Sequence, residues 1–520
     1  MRDKLRLAVL DLETDPFLAG RVPSPFAAGF YDGRRFVSFY GSDCCARLIE
    51  FLSSQKERFI IYAHNGGRFD FFYLLEHLRA PLKIINGRIV SAHLDKHVLR
   101  DSFAILPVPL ASYEKTNIDY AKFEADRRDT HREEIIAYLR DDCVSLFDLV
   151  SQFRERFGSR LTIAGTAIRE LTKLHTIERQ AKAHDARFRP FYFGGRVECF
   201  ESGELRDDFK IADVNSMYPH AMANFDHPCG AEYNHTTMLN LDSPRLAFAT
   251  VQATSSGALP LRTKDGLTFP HGRGVFHATA HELRAGEDLG LLKIEHVLEA
   301  RYARRMVRFD GFVQHWSAEK VNAERDGDKA GRLFAKLVMN SSYGKTAQNP
   351  EDFAEWMLRK PTEKLPAPPW ELYADHGFLE VWKRPAPVTA GGYYDVAIGA
   401  SITGASRAEL LRAIAGATRP VYCDTDSLIC RDLDAPVHAT KLGAWKIEET
   451  ADHVYIAGKK LYACARDGEF VKWASKGVRI SPERIRDIAR GSAHTHLRES
   501  PSYTLKRLAH FINRTVRVTA

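Results

Sequence analysis

The chain has 520 residues, too many for one hydrophobic core, and its 44% hydrophobic and 27% charged composition is that of a globular protein of several domains. No apolar run approaches the ~20 residues that cross a bilayer, the start MRDKLRLAVLDLETD lacks a signal-peptide pattern, and eight scattered cysteines without paired CxxC spacing exclude the common zinc sites. The net charge is +7, and residues 441–520 hold 16 Lys or Arg against 8 Asp or Glu, so this last segment carries all of it and suits a polyanionic partner.

In chain order, LRLAVLDLE reads as a strand that ends in Asp11-Leu12-Glu13. Residues two apart share a strand face, so both carboxylates project together and favour a compensating cation. Alone, the pair also suits a solvated strand end. FIIYAHN reads as a second strand and DFFYLLEHL as a helix after it, with His64-Asn65-Gly66-Gly67-Arg68-Phe69-Asp70 between them supplying a third carboxylate. REEIIAYLRDDCVSLFDLVSQF has helical apolar spacing, which places Tyr138 and Asp142 one turn apart on one face. Asp11, Glu13, Asp70 and Asp142 together could hold two metal ions, with the Tyr138 phenol beside an attacking water. The order of these elements predicts a mixed α/β domain.

A connecting region ends in Phe191-Tyr192-Phe193-Gly194-Gly195, and KIADVNSMYP opens a second α/β region bearing Asp213. One long helix is expected over roughly 317–346. On it Arg332, Lys336, Asn340 and Tyr343 form a single stripe, two cations suited to a triphosphate followed by an aromatic ring suited to a base or sugar. The Pro-rich stretches 363–373 and 383–388 predict loops or an insertion. VYCDTDSLIC (421–430) predicts a tight hairpin whose tip carries Asp424 and Asp426. Carboxylates gathered there suit Mg²⁺, which takes oxygen ligands and keeps substrate phosphates in its shell.

Together these segments resemble the family B DNA polymerases, in particular the protein-primed branch of bacteriophages and linear plasmids, over nearly the whole chain. Asp11-x-Glu13, Asn65 to Asp70 and Tyr138-x-x-x-Asp142 are similar to the three exonuclease motifs. Tyr192-x-Gly194-Gly195 is similar to the template-contacting linker motif. Asp213 to Pro219, Lys336 to Gly344 and Tyr422 to Ser427 are similar to polymerase motifs A, B and C, and Lys460-Leu461-Tyr462 to the primer-contacting KxY motif. The resemblance implies an RNase H-like 3′–5′ exonuclease domain (1–185) followed by a right-hand polymerase (186–520). Within the latter it implies a palm at about 186–222 and 390–440, fingers at about 315–350 and a small thumb at about 441–520. It also places a priming-protein insertion at about 222–300 and a strand-displacement insertion at about 352–390.

It further implies that Asp213, Val214, Asp424 and Asp426 hold two Mg²⁺ or Mn²⁺ ions for nucleotidyl transfer, and that a second pair serves the exonuclease. Tyr218 would exclude a 2′-hydroxyl. Lys336 and Arg332 would hold the triphosphate with Asn340 near it, and Tyr343 would pack by the nascent base pair. Thr14, Asn65, Phe69, Ser102 and Phe103 would hold the frayed single strand, and Lys115 would be an auxiliary, DNA-contacting exonuclease lysine. The expected partners are primer-template DNA, dNTPs, a terminal priming protein and a single-stranded-DNA-binding protein, for a monomer in the bacterial host cytoplasm. Three departures stand out: an extra residue in the second exonuclease motif, Met217 where Leu is usual, and a short tail. A repair-type or primer-independent polymerase, and an exonuclease with a DNA-binding C-terminal half, are the rival readings.

Overall fold

The computed structural model describes residues 5–17, 20–110, 117–387, 394–477 and 479–519. Strand Arg6–Thr14 is buried on both faces. Ala8, Leu10 and Leu12 enter a core with Leu48 and Leu52 of helix Cys44–Ser54. Val9 faces the opposite core with Ile135, Leu139 and Cys143 of helix Arg132–Phe157. The alternation sends Asp11 and Glu13 towards the second helix. This strand pairs parallel to Phe59–Ala63, which pairs parallel to His97–Asp101, while Pro25–Tyr31 and Phe36–Tyr40 extend the sheet antiparallel.

The same sheet runs to ten strands because Ala354–Arg359, Glu371–Asp375 and Glu380–Pro385 add to its far edge beside Leu78–Ile85. The Pro-rich stretches predicted as loops are therefore partly strands. Prolines fall in the link 361–369 and at the end of a strand, where a missing N–H is tolerated. Leu358, Leu379 and Val381 join the N-terminal core, as does Leu505 from the C-terminal hairpin His494–Thr504/Leu508–Val518.

A second, seven-stranded sheet centres on strand Gly203–Val214. The hairpin Thr418–Asp424/Ser427–Asp432 lies on one side of it and Trp445–Gly458 on the other, with Leu461–Arg466 and Glu469–Ser475 beyond. Helix Val396–Gly416 is buried over most of its length, with Leu410 and Ala413 in the core under this sheet. A four-stranded sheet (233–303) with helix Ala280–Asp288 packs against helix Val396–Gly416, whose Ala408 and Leu411 share its core.

The helix expected at 317–346 is two helices, Asp310–Arg325 and Lys329–Thr346. Gly327 adopts φ +70°, which ends the first, and the Asp328 side chain caps the second by accepting from Gly331 N–H at 2.8 Å. DFFYLLEHL gives only one helical turn (Asp70–Tyr73) and a 3₁₀ turn, because Leu78 already pairs with Leu94. No described helix is long and apolar enough to cross a membrane.

Candidate active sites

In the N-terminal half, carboxylate oxygens of Asp11, Glu13 and Asp142 lie within 4.8 Å of one another. The strand brings the first two and the helix brings the third. Three hard oxygen donors at this spacing fit a divalent cation of the Mg²⁺ or Mn²⁺ kind. Asp70, the fourth expected ligand, is not among these three; it is 1% exposed and accepts from the N–H of Leu12, the residue between Asp11 and Glu13 in the chain, at 3.1 Å. Burial, reinforced by Asp101, pushes its carboxyl up to about 7. The extra residue of this motif is absorbed by a 3₁₀ turn at Gly66–Arg68, so Asp70 still begins its helix at the strand. Gly67 is required there, because a Cβ would sit 2.0 Å from the Ile89 carbonyl oxygen.

Tyr138 shares the buried face of helix Arg132–Phe157 with Asp142, as their spacing predicts, and its hydroxyl lies 3.2 Å from that of Tyr120. Burial, then this contact and the nearby Asp142 and Glu13 charges, push the phenol well up. A cavity of about 390 Å³ opens on the cluster, lined by Asp11, His64, Asn65, Phe103 and Asp142. Asn65 adopts φ +62° and accepts from Arg88 at 2.9 Å. Phe69 packs edge-on to Phe17 and Tyr503, at the wall of a groove of about 1220 Å³ shared with Trp356 and Tyr373. Thr14 and Ser102 are buried. Thr14 donates to the Asp15 carbonyl, and Ser102 bonds His64 at 3.0 Å and the Ala63 carbonyl at 3.2 Å. Lys115 lies outside the described residues.

In the C-terminal half, Asp213 sits opposite Ser427 in the central strand pair, and Val214 N–H donates to the Asp426 carbonyl at 2.8 Å. The hairpin tip is thereby fixed against the strand end. Thr425 takes φ +63°, and its N–H donates to the Arg196 carbonyl at 2.7 Å. Burial first, then the charges of Asp426 and Glu448, push Asp213 up to about 7, and burial with Asp424 raises Asp426. Asp213, Asp426 and Glu448 thus feel one another's charge, but among the described residues no three acids here come within 4.8 Å of one another as Asp11, Glu13 and Asp142 do. Lys460 reaches both Asp424 oxygens at 2.5 and 2.6 Å, while Tyr422 donates to Asp424 at 3.4 Å and packs on Tyr462.

Tyr218 and Tyr343 stack with ring centroids 4.2 Å apart. Arg332, Lys336 and Asn340 line the exposed face of helix Lys329–Thr346, with Phe334, Ala335 and Val338 on the buried face. Gly195 lies against the hairpin tip, where a Cβ would be 2.6 Å from Thr425 Oγ1. Tyr192 is partly buried, and its carbonyl accepts from Arg262 at 2.9 Å.

Sequence reasoning missed the residues that hold these groups in place. Arg88 ion-pairs with the buried Asp101 and stands 4.5 Å from the Phe103 ring, so it braces both Asn65 and Phe103. Arg407 is 3% exposed and donates to the carbonyls of Phe193 and Gly194 at 2.7 and 2.8 Å. It also pairs with buried Glu282 at 2.7 Å. A lone arginine in the apolar run VAIGASITGASRAELL was the available signal for the second. Arg88 and Glu448 carried none.

The sequence profile of the type B DNA polymerases of organelles and viruses matches residues 109–367. The DNA-directed DNA polymerase of Enterobacteria phage PRD1 is 42% identical, over 99% of this chain and 98% of its own length. The DNA polymerase of Bacillus phage phi29 is 24% identical over 75% of this chain and 71% of its own. The structure of phi29 DNA polymerase with primer-template DNA and incoming nucleotide covers 99% of this chain and 100% of that one, with a TM-score of 0.75 at 17% identity, which establishes a shared fold. Near-complete alignment to the PRD1 enzyme shows that the chain belongs to the type B DNA polymerases and is a DNA-directed DNA polymerase.

Proposed function

We propose that this polymerase extends a primer at Asp213, Asp424 and Asp426 and edits it at Asp11, Glu13, Asp70 and Asp142, each centre using two Mg²⁺ or Mn²⁺ ions. Support comes above all from the hydrogen bond that ties the Asp426 carbonyl to Val214, which joins motif C to motif A. Bound there, divalent ions supply charge neutralisation for the entering and leaving oxygens of in-line displacement at phosphorus. The chain's own residues then position and hold. Lys336 and Arg332 grip the triphosphate, and Asn340 lies on the same stripe. Tyr218 sits under the sugar and crowds out a 2′-hydroxyl, and Tyr343 flanks the new base pair. Tyr192, Gly194 and Gly195 meet the template. Lys460 and Tyr462 meet the primer, with Lys460 exchanging Asp424 for a primer phosphate.

At the second centre Tyr138 orients the attacking water. Asn65, Phe69 and Phe103 hold the frayed strand, where aromatic stacking tolerates any base. Thr14 and Ser102 back the same wall from inside, and Lys115 serves as an auxiliary, DNA-contacting exonuclease lysine. The corresponding divisions are an exonuclease domain (1–185) and a polymerase domain (186–520). The latter has a palm (about 186–222 and 390–440), fingers (about 315–350), thumb (about 441–520) and insertions at about 222–300 and 352–390. Likeness to the PRD1 and phi29 enzymes supports a phage or plasmid replicase acting in the host cytoplasm. It would work as a monomer, primed by a terminal protein, strand-displacing, and aided by a single-stranded-DNA-binding protein. The experiment is primer extension with and without dNTPs. Asp424→Ala should lose incorporation and keep primer degradation, and Asp11→Ala with Asp70→Ala should do the reverse. Synthesis at a near-normal rate by Asp424→Ala would overturn the assignment.

A further inference from the structure

Helix Arg132–Phe157 carries Tyr138 and Asp142 near its start, and about 16 Å further along its axis it meets the fingers. Phe153 packs edge-on to Phe334 with centroids 5.5 Å apart, and Phe157 lies against both Phe334 and Trp316. Beside this cluster Arg156 Nη2 pairs with Asp328 Oδ2 at 2.5 Å. Asp328 is also the cap of helix Lys329–Thr346, accepting from Gly331 N–H through its other oxygen. One carboxylate thus fixes where that helix begins and ties it to the other half of the chain. The junction leaves no room for a side chain at Gly331, where a Cβ would lie 2.3 Å from Asp328 Oδ2 and 2.7 Å from Arg156 Nη1. Arg332 follows immediately, and Lys336 stands one turn on.

We propose that Arg156 is a positioning residue for the incoming nucleotide, latching the start of the triphosphate-gripping helix to the editing half through Asp328. The proposal rests on the reading of Arg332 and Lys336 as triphosphate ligands. The pair is partly exposed, at 40% and 32%. Its effect is therefore modest, and most of the contact area comes from the rings beside it.

The test is single-nucleotide incorporation on primer-template, with kcat and KM for dNTP measured separately, alongside degradation of single-stranded DNA without nucleotide. Arg156→Ala and Asp328→Asn, the latter keeping the cap acceptor, should each raise KM about threefold. Neither should move kcat or single-strand degradation. Arg156→Lys should restore KM, and the double variant should be no worse than either single one, because both remove the same contact. An unchanged KM, additive effects, or a parallel fall of KM-independent rates and degradation would overturn the latch. Lys336→Ala separates the two claims. If it raises KM while Arg156→Ala does not, the latch alone falls; if it leaves KM unchanged, the triphosphate assignment falls and the latch with it.

Discussion

Asp70→Asn should stabilise the protein at alkaline pH while removing its editing activity. The Asp70 side chain is 1% exposed, and its acceptor contact with Leu12 N–H is one that an asparagine oxygen can also make. Burial moves its carboxyl from 3.8 to about 7. The folded chain therefore holds the proton more tightly than the unfolded chain does. The favourable contribution is complete below the unfolded value and is lost as pH rises through about 7. Roughly three pH units at ~1.4 kcal/mol each set a ceiling of ~4 kcal/mol, and local relaxation reduces this to about 2–3 kcal/mol.

Thermal unfolding in EDTA at pH 5 and pH 8 reads the effect. At pH 8 the Asn variant should melt several degrees higher, since ~1 kcal/mol is worth about 2–4 °C in a domain of this size. At pH 5 the gap should shrink to a small residue. Adding Mg²⁺ or Mn²⁺ at pH 8 should narrow it again, because the wild-type carboxylate then gains a cation. An advantage equal at both pH values, or an Asn variant less stable at pH 8, would refute the reasoning.

Gly195→Ala should lower nucleotide incorporation at least tenfold with single-strand degradation intact, since its Cβ would displace Thr425 at the tip bearing Asp424 and Asp426; a gel of extension against degradation decides it. Glu282→Gln leaves the buried Arg407 charge without its counter-charge and should cost ~3 kcal/mol, read as a lower melting temperature together with weakened primer extension. Tyr218→Val should admit ribonucleotides, measured as incorporation of rNTP relative to dNTP. Unchanged sugar discrimination would move the gate elsewhere.

Features set by short-range periodicity were legible in the sequence. Asp11 and Glu13 share a strand face, Tyr138 and Asp142 share a helix face, and the Asp424–Asp426 tip sits on a hairpin, all as their spacing requires. The Asp326-Gly327-Asp328 break was also readable, with Gly suited to end one helix and Asp to cap the next, and the expectation of one long helix passed over it. What depended on distant pairing was not legible. Strand Ala354–Arg359 finds its partner at Leu82, and Tyr503 reaches Tyr73 at 2.7 Å. Arg88 and Arg407 acquire their meaning only when carbonyls and carboxylates from remote segments close around them.

The ten-stranded sheet weaves the chain through itself. Strands from 354–385, far along the chain, complete the edge of the sheet that begins with Arg6–Thr14, and Leu505 plugs the same core. An engineer who wants a non-editing version cannot obtain it by trimming the front of the gene, because Leu358, Leu379, Val381 and Phe334 would then face water as a fresh sticky surface. Point changes to the carboxylates leave that woven body whole. By the same reasoning, grafting the front part of a cousin enzyme onto this one would require the 354–385 strands to travel with it.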